Sequence, residues 1–192
     1  MARTIQFDRD DVLNKAMQTF WSQGYTQTSI PDLVKATNLQ PGSLYAAFKS
    51  KEGLLLATLE KYHSTGLAEM RASFECAASP LEGIKNLLLQ VVEEVVSDTR
   101  ARGCFVINTL LEFSPDNTDI QGPVRGYLDD IEQEIVRTLK LALSQGELSA
   151  DKDPELIAKF IMVNIWGLRV FGKTQADQAQ GQFIYQQLIS ML

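Results

Sequence analysis

The sequence predicts an all-α protein, and three observations carry that expectation. Apolar residues recur at three- and four-residue spacing along most of the 192 residues. No segment alternates apolar and polar with period two convincingly over strand length. Capping and breaking residues such as Asp8, Gly24, Pro41, Pro80 and Pro154 divide the periodic stretches into helix-length pieces. The composition, 45% hydrophobic and 22% charged, excludes a disordered or collagen-like chain. No apolar run approaches the roughly 18 residues that a membrane span needs. The opening MARTIQFDRDDVL reaches charged side chains at once and has no apolar leader core, so a cytoplasmic location and no membrane partner are expected. Cys76 and Cys104 are too few for a disulfide scaffold and lack CxxC spacing, and His63 is the single histidine. Neither a metal nor a cofactor is expected, and most histidine-based catalysis is excluded.

The elements follow in order. From Asp8 to Gly24, Val12, Leu13, Ala16, Met17 and Phe20 trace one helical face. Asp8 is the expected N-cap, Asp10 and Asp11 suit the first turn, and Gly24 is the stop. Thr28 or Ser29 caps a second helix that tolerates Pro31 in its first turn and ends near Thr37-Asn38. Leu39 then packs inward. Gln40-Pro41-Gly42-Ser43 opens a short third helix carrying Leu44, Tyr45 and Phe48. Ser50 is the natural N-cap of a long run through Leu54, Leu55, Leu56, Ala57, Leu59 and Tyr62. Further helices are expected over about 80–98, 104–114, 120–146, 153–172 and 176–191. Cys104–Leu111 is the most ambiguous, because its residues suit a strand as well as a helix. Apolar faces of this length need partners, which points to a helical bundle.

Charge is uneven. Residues 1–63 hold seven basic and six acidic side chains, whereas the whole chain holds 18 and 24 for a net charge of −6. DNA affinity depends on local charge, so the acidic total does not exclude it. On charge alone a plain solvated acidic domain is the simpler explanation of the asymmetry. Between Thr28 and Leu55, however, two short helices joined by a tight turn follow a helix that crosses them, which is the helix-turn-helix arrangement. A recognition helix must be small and polar at its leading end to enter the major groove. Gln40, Pro41, Gly42 and Ser43 meet that demand, and Gln40 and Ser43 can bond base edges or phosphates. Leu44 and Phe48 anchor the opposite face. Tyr45 can reach a phosphate with its hydroxyl, or be a core tyrosine with a wet hydroxyl. Lys49 and Lys51 add positive charge nearby.

The stretch TSIPDLVKATNLQPGSLYAAFKSKEGLL resembles the DNA-binding segment of the TetR family of bacterial transcriptional regulators. The matched elements are Thr28-Ser29-Ile30, Leu39, Gly42-Ser43-Leu44-Tyr45 with Phe48, and Ser50-Lys51-Glu52 with Leu54. With the ending Phe20, Gly24-Tyr25 of the preceding helix, the resemblance covers about residues 8–60. It implies that Thr28 and Tyr45 touch phosphates, that Lys51 supports the backbone contact, and that residues 40–43 face bases. Many members carry a phosphate-contacting His or Tyr where this chain has Ala47, so that contact should be missing, with Lys49 in a position to compensate. The implied division is a helix-turn-helix DNA-binding domain at 1–50 and a ligand-binding and dimerisation domain at 51–192, joined through a long helix.

The resemblance also implies a homodimer whose last two helices form a four-helix bundle with their symmetry mates, bound to double-stranded operator DNA. The 156–171 stretch, apolar on more than one face through Leu156, Phe160, Val163, Trp166 and Val170, fits a helix buried on two sides. A pocket for a small-molecule inducer would lie among the helices of 80–172, with Phe105, Asn108, Thr109, Glu112, Trp166 and Arg169 as candidate lining, each open to a plain core or surface role. Cys104 follows Arg100, Arg102 and Gly103 at an expected helix start, a setting that favours a thiolate. Gly103-Cys104 resembles the pair in electrophile-sensing members of the family, while ordinary packing of a small apolar side chain is the alternative.

The expected function is therefore a ligand-responsive regulator, most simply a repressor, that binds a palindromic operator as a homodimer. A cytoplasmic all-helical enzyme acting on a small apolar substrate is the alternative. Against it stands the absence of a nucleophile–His–acid set, a metal cluster and a phosphate-cradling glycine loop. Neighbouring carboxylates such as Glu93 and Glu94 point to different helix faces. An adaptor that binds protein alone would have no use for the Gly42-Ser43 tip.

Overall fold

The computed structural model describes residues 7–174 and 177–192. The opening six residues, read above as lacking a leader core, lie outside the described residues. So does position 176, where the last helix is expected to begin. Among the described residues the chain forms nine α-helices and no strand: α1 Arg9–Gln23, α2 Ile30–Thr37, α3 Pro41–Phe48, α4 Lys51–Cys76, α5 Pro80–Ser97, α6 Phe105–Glu112, α7 Thr118–Ser144, α8 Pro154–Phe171 and α9 Gln178–Ile189. The ambiguous Cys104–Leu111 stretch resolves as helix.

Local chemistry explains most of these boundaries. The Asp8 carboxylate accepts the N–H groups of Asp10 and Asp11 at 2.9 and 3.2 Å, and Gly24 closes α1 with φ +81°. Of the two cap candidates for α2, Ser29 is the cap and forms a reciprocal box with Asp32. Asn38 ends that helix in the left-handed conformation, which asparagine tolerates. Ser50 Oγ accepts the Gly53 N–H at 2.9 Å. Gly53 is needed there: a Cβ would come 2.1 Å from the Phe48 carbonyl oxygen.

The helices cluster into two compact units, 1–64 with 105–125, and 65–104 with 126–192. In the first, Val12, Leu13, Ala16, Phe20, Leu33, Leu39, Leu44, Phe48, Leu54, Leu55 and Leu59 are buried, joined by Phe105, Val106, Ile120 and Val124 from later in the chain. In the second, Ile84, Leu88, Val91, Val92, Ile135, Leu139, Ala158, Ile161, Met162, Leu168 and Leu188 are buried. There α9 packs on α5 closely enough that a Cβ at Gly181 would meet Val96 Cγ2 at 2.8 Å. None of the described helices is long and apolar enough to cross a membrane.

Candidate nucleic-acid interface

The first unit presents α3 outward by burying one side of it. Leu44 and Phe48 are 4% and 5% exposed, which fixes the helix rotation and leaves Pro41 and Tyr45 on the far side. Gln40 caps α3 only through its backbone: its carbonyl accepts the N–H groups of Ser43 and Leu44 at 2.9 and 3.1 Å, with no side-chain cap bond. The Gln40 amide therefore stays available, and Gln40, Pro41 and Gly42 are all exposed. An added Cβ at Gly42 would find nothing within 4 Å among the described residues, so no packing between them demands glycine there. Ser43 is half-buried, and Tyr45 is 48% exposed, which settles the choice against a core tyrosine.

Lys49 completes this edge. It is exposed and adopts φ +68° and ψ −44°, a conformation sparsely populated by residues with a side chain. The Ser50 N–H reaches the Phe48 carbonyl at 2.8 Å across it, making a γ-turn. That turn ends α3 abruptly and lets α4 begin two residues later. Arg9, not singled out from the sequence, sits at the start of α1 with its guanidinium 4.8 Å from the Phe48 ring centroid. Nothing local marks it, since the contact bridges helices far apart in sequence. Gly53 carries no such local mark either, since glycines elsewhere in these helices, Gly42 and Gly167 among them, have open space at the Cβ position among the described residues.

Two expected contacts stand elsewhere. Thr28 is 1% exposed, and its hydroxyl donates to the Gly24 carbonyl at 2.6 Å. Lys51 turns inward: its ammonium donates to the Tyr25 carbonyl at 2.5 Å and lies 4.0 Å from the Tyr25 ring centroid. Burial pushes the Lys51 pKa down, opposed in part by the Glu112 charge.

The seven residues considered for a ligand divide between the units. Phe105 is buried in the first, with ring centroids 6.1 Å from Trp21 and 5.9 Å from Tyr62. Thr109 is buried and donates to the Phe105 carbonyl at 2.9 Å, and Asn108 is half-buried on the same helix. Glu112 accepts the N–H groups of Tyr25 and Thr26 at 2.8 and 2.6 Å. Burial opposes its charge, but those N–H groups, with the Thr26 hydroxyl and Lys51, outweigh it and hold the Glu112 pKa below the usual carboxylate range. In the second unit, Trp166 is half-buried with an indole N–H that is itself buried and lacks an acceptor among the described residues. Arg169 donates to Glu94 at 2.5 Å.

Cys104 is half-buried just before α6. The guanidinium of Arg102, expected to attend it, lies 3.5 Å from Asp98. Asp98 also accepts the backbone N–H groups of Arg102, Gly103 and Arg100; burial opposes its charge, and these groups together hold its pKa low. A cleft of about 850 Å³ in the second unit is lined by none of the seven; Arg71, Phe74, Pro80, Glu134, Arg137 and Leu141 are among its walls. Among the described residues no group of three or more His, Cys, Asp or Glu side chains gathers as metal ligands would.

Comparison with known proteins decides the family. Residues 12–58 match the model of bacterial regulatory proteins of the tetR family, and residues 80–188 match the tetracyclin repressor-like C-terminal domain. The chain belongs to the TetR family. It is a DNA-binding transcriptional regulator of that family and not an enzyme. It is 32% identical to the HTH-type transcriptional repressor ComR of Escherichia coli K12, over 89% of this chain and 82% of that protein. It is 30% identical to the HTH-type transcriptional regulator TtgR of Pseudomonas putida, over 85% and 79%. Among solved structures, cysteine-substituted CifR, a TetR-family regulator complexed with 26-base-pair double-strand operator DNA, superposes with TM-score 0.88 at 30% identity over 98% of each chain. Reduced NemR of Escherichia coli shares the fold, with TM-score 0.85 at 16% identity over 94% of each chain.

Proposed function

We propose that this TetR-family regulator reads its operator with the leading end of α3, working in the cytoplasm where chromosomal DNA is accessible. Gln40, Pro41, Gly42 and Ser43 approach base edges in the major groove, while the Tyr45 hydroxyl and the Lys49 ammonium hold phosphates on one flank. Residues 1–50 supply the DNA-binding part and residues 51–192 the ligand-binding and dimerisation part. Gly42 is the observation that carries this reading. It is an exposed residue whose missing side chain faces open space among the described residues, with no packing there that calls for glycine. Thr28 takes its part from within, by fixing the turn before Ser29, and Lys51 by holding Tyr25 rather than by a direct phosphate contact.

The regulator acts as a homodimer on a palindromic site. Leu156, Phe160, Val163 and Val170 follow one another at four-, three- and seven-residue steps along α8 and are 65%, 36%, 61% and 47% exposed in the single chain. Gly167 falls between the last two with nothing within 4 Å of its Cβ position, so a second helix could approach closely. Phe183 on α9, 65% exposed, extends the apolar surface. Surface of this kind supports an isologous helical interface, and a two-fold dimer places two recognition helices on two half-sites.

A small-molecule inducer, or an electrophile acting on Cys104, releases the DNA by binding better to a dimer whose recognition helices no longer fit successive grooves. The buried indole N–H of Trp166, without an acceptor among the described residues, supports a ligand oxygen in the second unit. Cys104→Ser should abolish an electrophile response and leave DNA binding intact; a retained response places the sensing elsewhere.

Fluorescence anisotropy with operator and scrambled duplexes tests the interface. Tyr45→Phe and Lys49→Ala should weaken both duplexes about equally and flatten the salt dependence in the lysine variant, whereas Gln40→Ala should weaken the operator alone. Parent-like binding by all three variants would refute the assignment.

A further inference from the structure

The short helix α6 ends in a carboxylate that closes on the helix-turn-helix segment 86 and 87 residues earlier in the chain. Its two oxygens divide their bonds: Oε2 accepts the Tyr25 N–H at 2.8 Å and Oε1 the Thr26 N–H at 2.6 Å. These donors belong to the turn between α1 and α2, which no helix ladder satisfies. Gly24 makes the approach possible. Its φ is +81°, and a Cβ there would lie 3.2 Å from Glu112 Oε2. The Tyr25 ring is packed from three sides, by Phe113 at 4.8 Å, Phe20 at 6.0 Å and the Lys51 ammonium at 4.0 Å. Lys51, at the first position of α4, also takes the Tyr25 carbonyl. Opposite charges thus hold the two faces of one peptide turn, Glu112 on its N–H groups and Lys51 on its carbonyl. The end of α6 is in turn held by Gln121, whose side-chain amide donates to the Leu110 and Phe113 carbonyls at 3.1 and 2.8 Å.

We propose that Glu112 is a positioning residue for DNA binding: it makes α6 a strut that fixes the α1–α2 turn, and through it the stance of α2 and α3 toward DNA. Nothing local in the sequence assigns it this part, and its carboxylate is engaged by the Tyr25 and Thr26 N–H groups. The strut acts on register. Base-edge hydrogen bonds are what distinguish the operator from another duplex, and they weaken steeply with distance and angle, so a small rotation of α3 removes the operator's advantage first. Loss of Glu112 therefore selectively lowers operator binding. The inference rests on α3 being the reading helix, and the test separates the two.

The homodimer, the Glu112→Gln variant and the Glu112→Ala variant are compared. Glutamine keeps the side-chain size but offers one acceptor oxygen and one like donor to two N–H groups, so its fold should persist. Two measurements are made on each: amide hydrogen exchange at Tyr25 and Thr26, which needs no DNA, and affinity for a duplex selected by the parent from a random pool against a scrambled duplex. The expected result is faster exchange at both amides, about tenfold weaker operator binding as loss of a charge-assisted bond implies, and unchanged binding to the scrambled duplex. Unchanged exchange in Glu112→Gln would overturn the strut, as would fast exchange with parent-like operator affinity. Equal loss on both duplexes with a lowered melting temperature would reduce Glu112 to a general stabiliser and overturn the proposal as well. Failure of the parent to select any sequence would strike the reading of α3, and the exchange result would still decide whether Glu112 holds the turn.

Discussion

The leading end of α3 and the α1–α2 turn use polar groups in opposite ways within one unit. At α3, Gln40, Gly42 and Tyr45 face solvent and leave their hydrogen-bonding and steric capacity open. At the turn, the N–H groups of Tyr25 and Thr26, the Tyr25 carbonyl and the Thr28 hydroxyl all have partners inside the protein. A reading surface must stay unsatisfied until DNA arrives, and a brace must be satisfied beforehand to be rigid. The difference teaches that charge and proximity to a helix-turn-helix do not by themselves leave a side chain open to solvent. Lys49 and Lys51 are two positions apart, yet one is exposed and the other is folded onto Tyr25.

The sharpest way to break this contrast is to fill the space at the tip. Gly42→Leu should reduce operator affinity by about a hundredfold, the order expected when two or more base contacts are lost, with a melting temperature no lower than the parent's, because a Cβ there meets none of the described residues and leucine favours a helix more than glycine does. A Gly42→Leu protein that binds operator normally would remove α3 from the groove. Next in size, Val163→Glu on the exposed stripe of α8 should drive the homodimer toward monomer by placing like charges across a two-fold axis, read by sedimentation. Operator affinity should fall with it, by roughly tenfold or more, because one half-site is lost.

Thr28→Val sharpens the contrast from the brace side. Removing the hydroxyl leaves the buried arrangement at Gly24 short of one hydrogen bond and should cost about 1 kcal/mol of stability, measured by denaturant unfolding, with little change in DNA affinity. A large loss of DNA affinity at parent stability would place that hydroxyl on a phosphate instead. The smallest effect is acid sensitivity. Glu112 and Asp98 have folded pKa values below their ordinary 4.5 and 3.8, so each adds stability that is present above those values and lost as pH falls through the lower folded ones. Thermal melts below pH 4.5 should therefore fall more steeply for the parent than for Glu112→Gln.

These contrasts also explain what the sequence made legible. The helices were readable because their causes are local: Asp8, Ser29 and Ser50 cap within three residues of themselves, and the apolar spacing that buries Leu44 and Phe48 lies on α3 itself. The outward face of α3 was readable for the same reason. Glu112 was considered for a ligand wall, and its bond to a turn 87 residues away leaves no local trace, since any exposed glutamate at a helix end looks alike. The phosphate role expected of Thr28 rests on resemblance and that of Lys51 also on its charge at a helix start, but their side-chain directions depend on Gly24 and Tyr25, which sequence spacing does not resolve. The α8 stripe was readable as too apolar for a monomer's surface, but which of its faces stays open depends on tertiary packing, with α8 tied to α5 through Arg169 and Glu94.

The central claim is that the leading end of α3 reads base sequence, and selection from a random DNA pool tests it most directly. The parent homodimer should return an inverted repeat with half-site centres about one DNA turn apart. Gln40→Ala should return the same repeat with relaxed preference at symmetry-related positions. A parent pool without an inverted repeat, or a Gln40→Ala and Ser43→Ala pair whose pools match the parent's at every position, would contradict it.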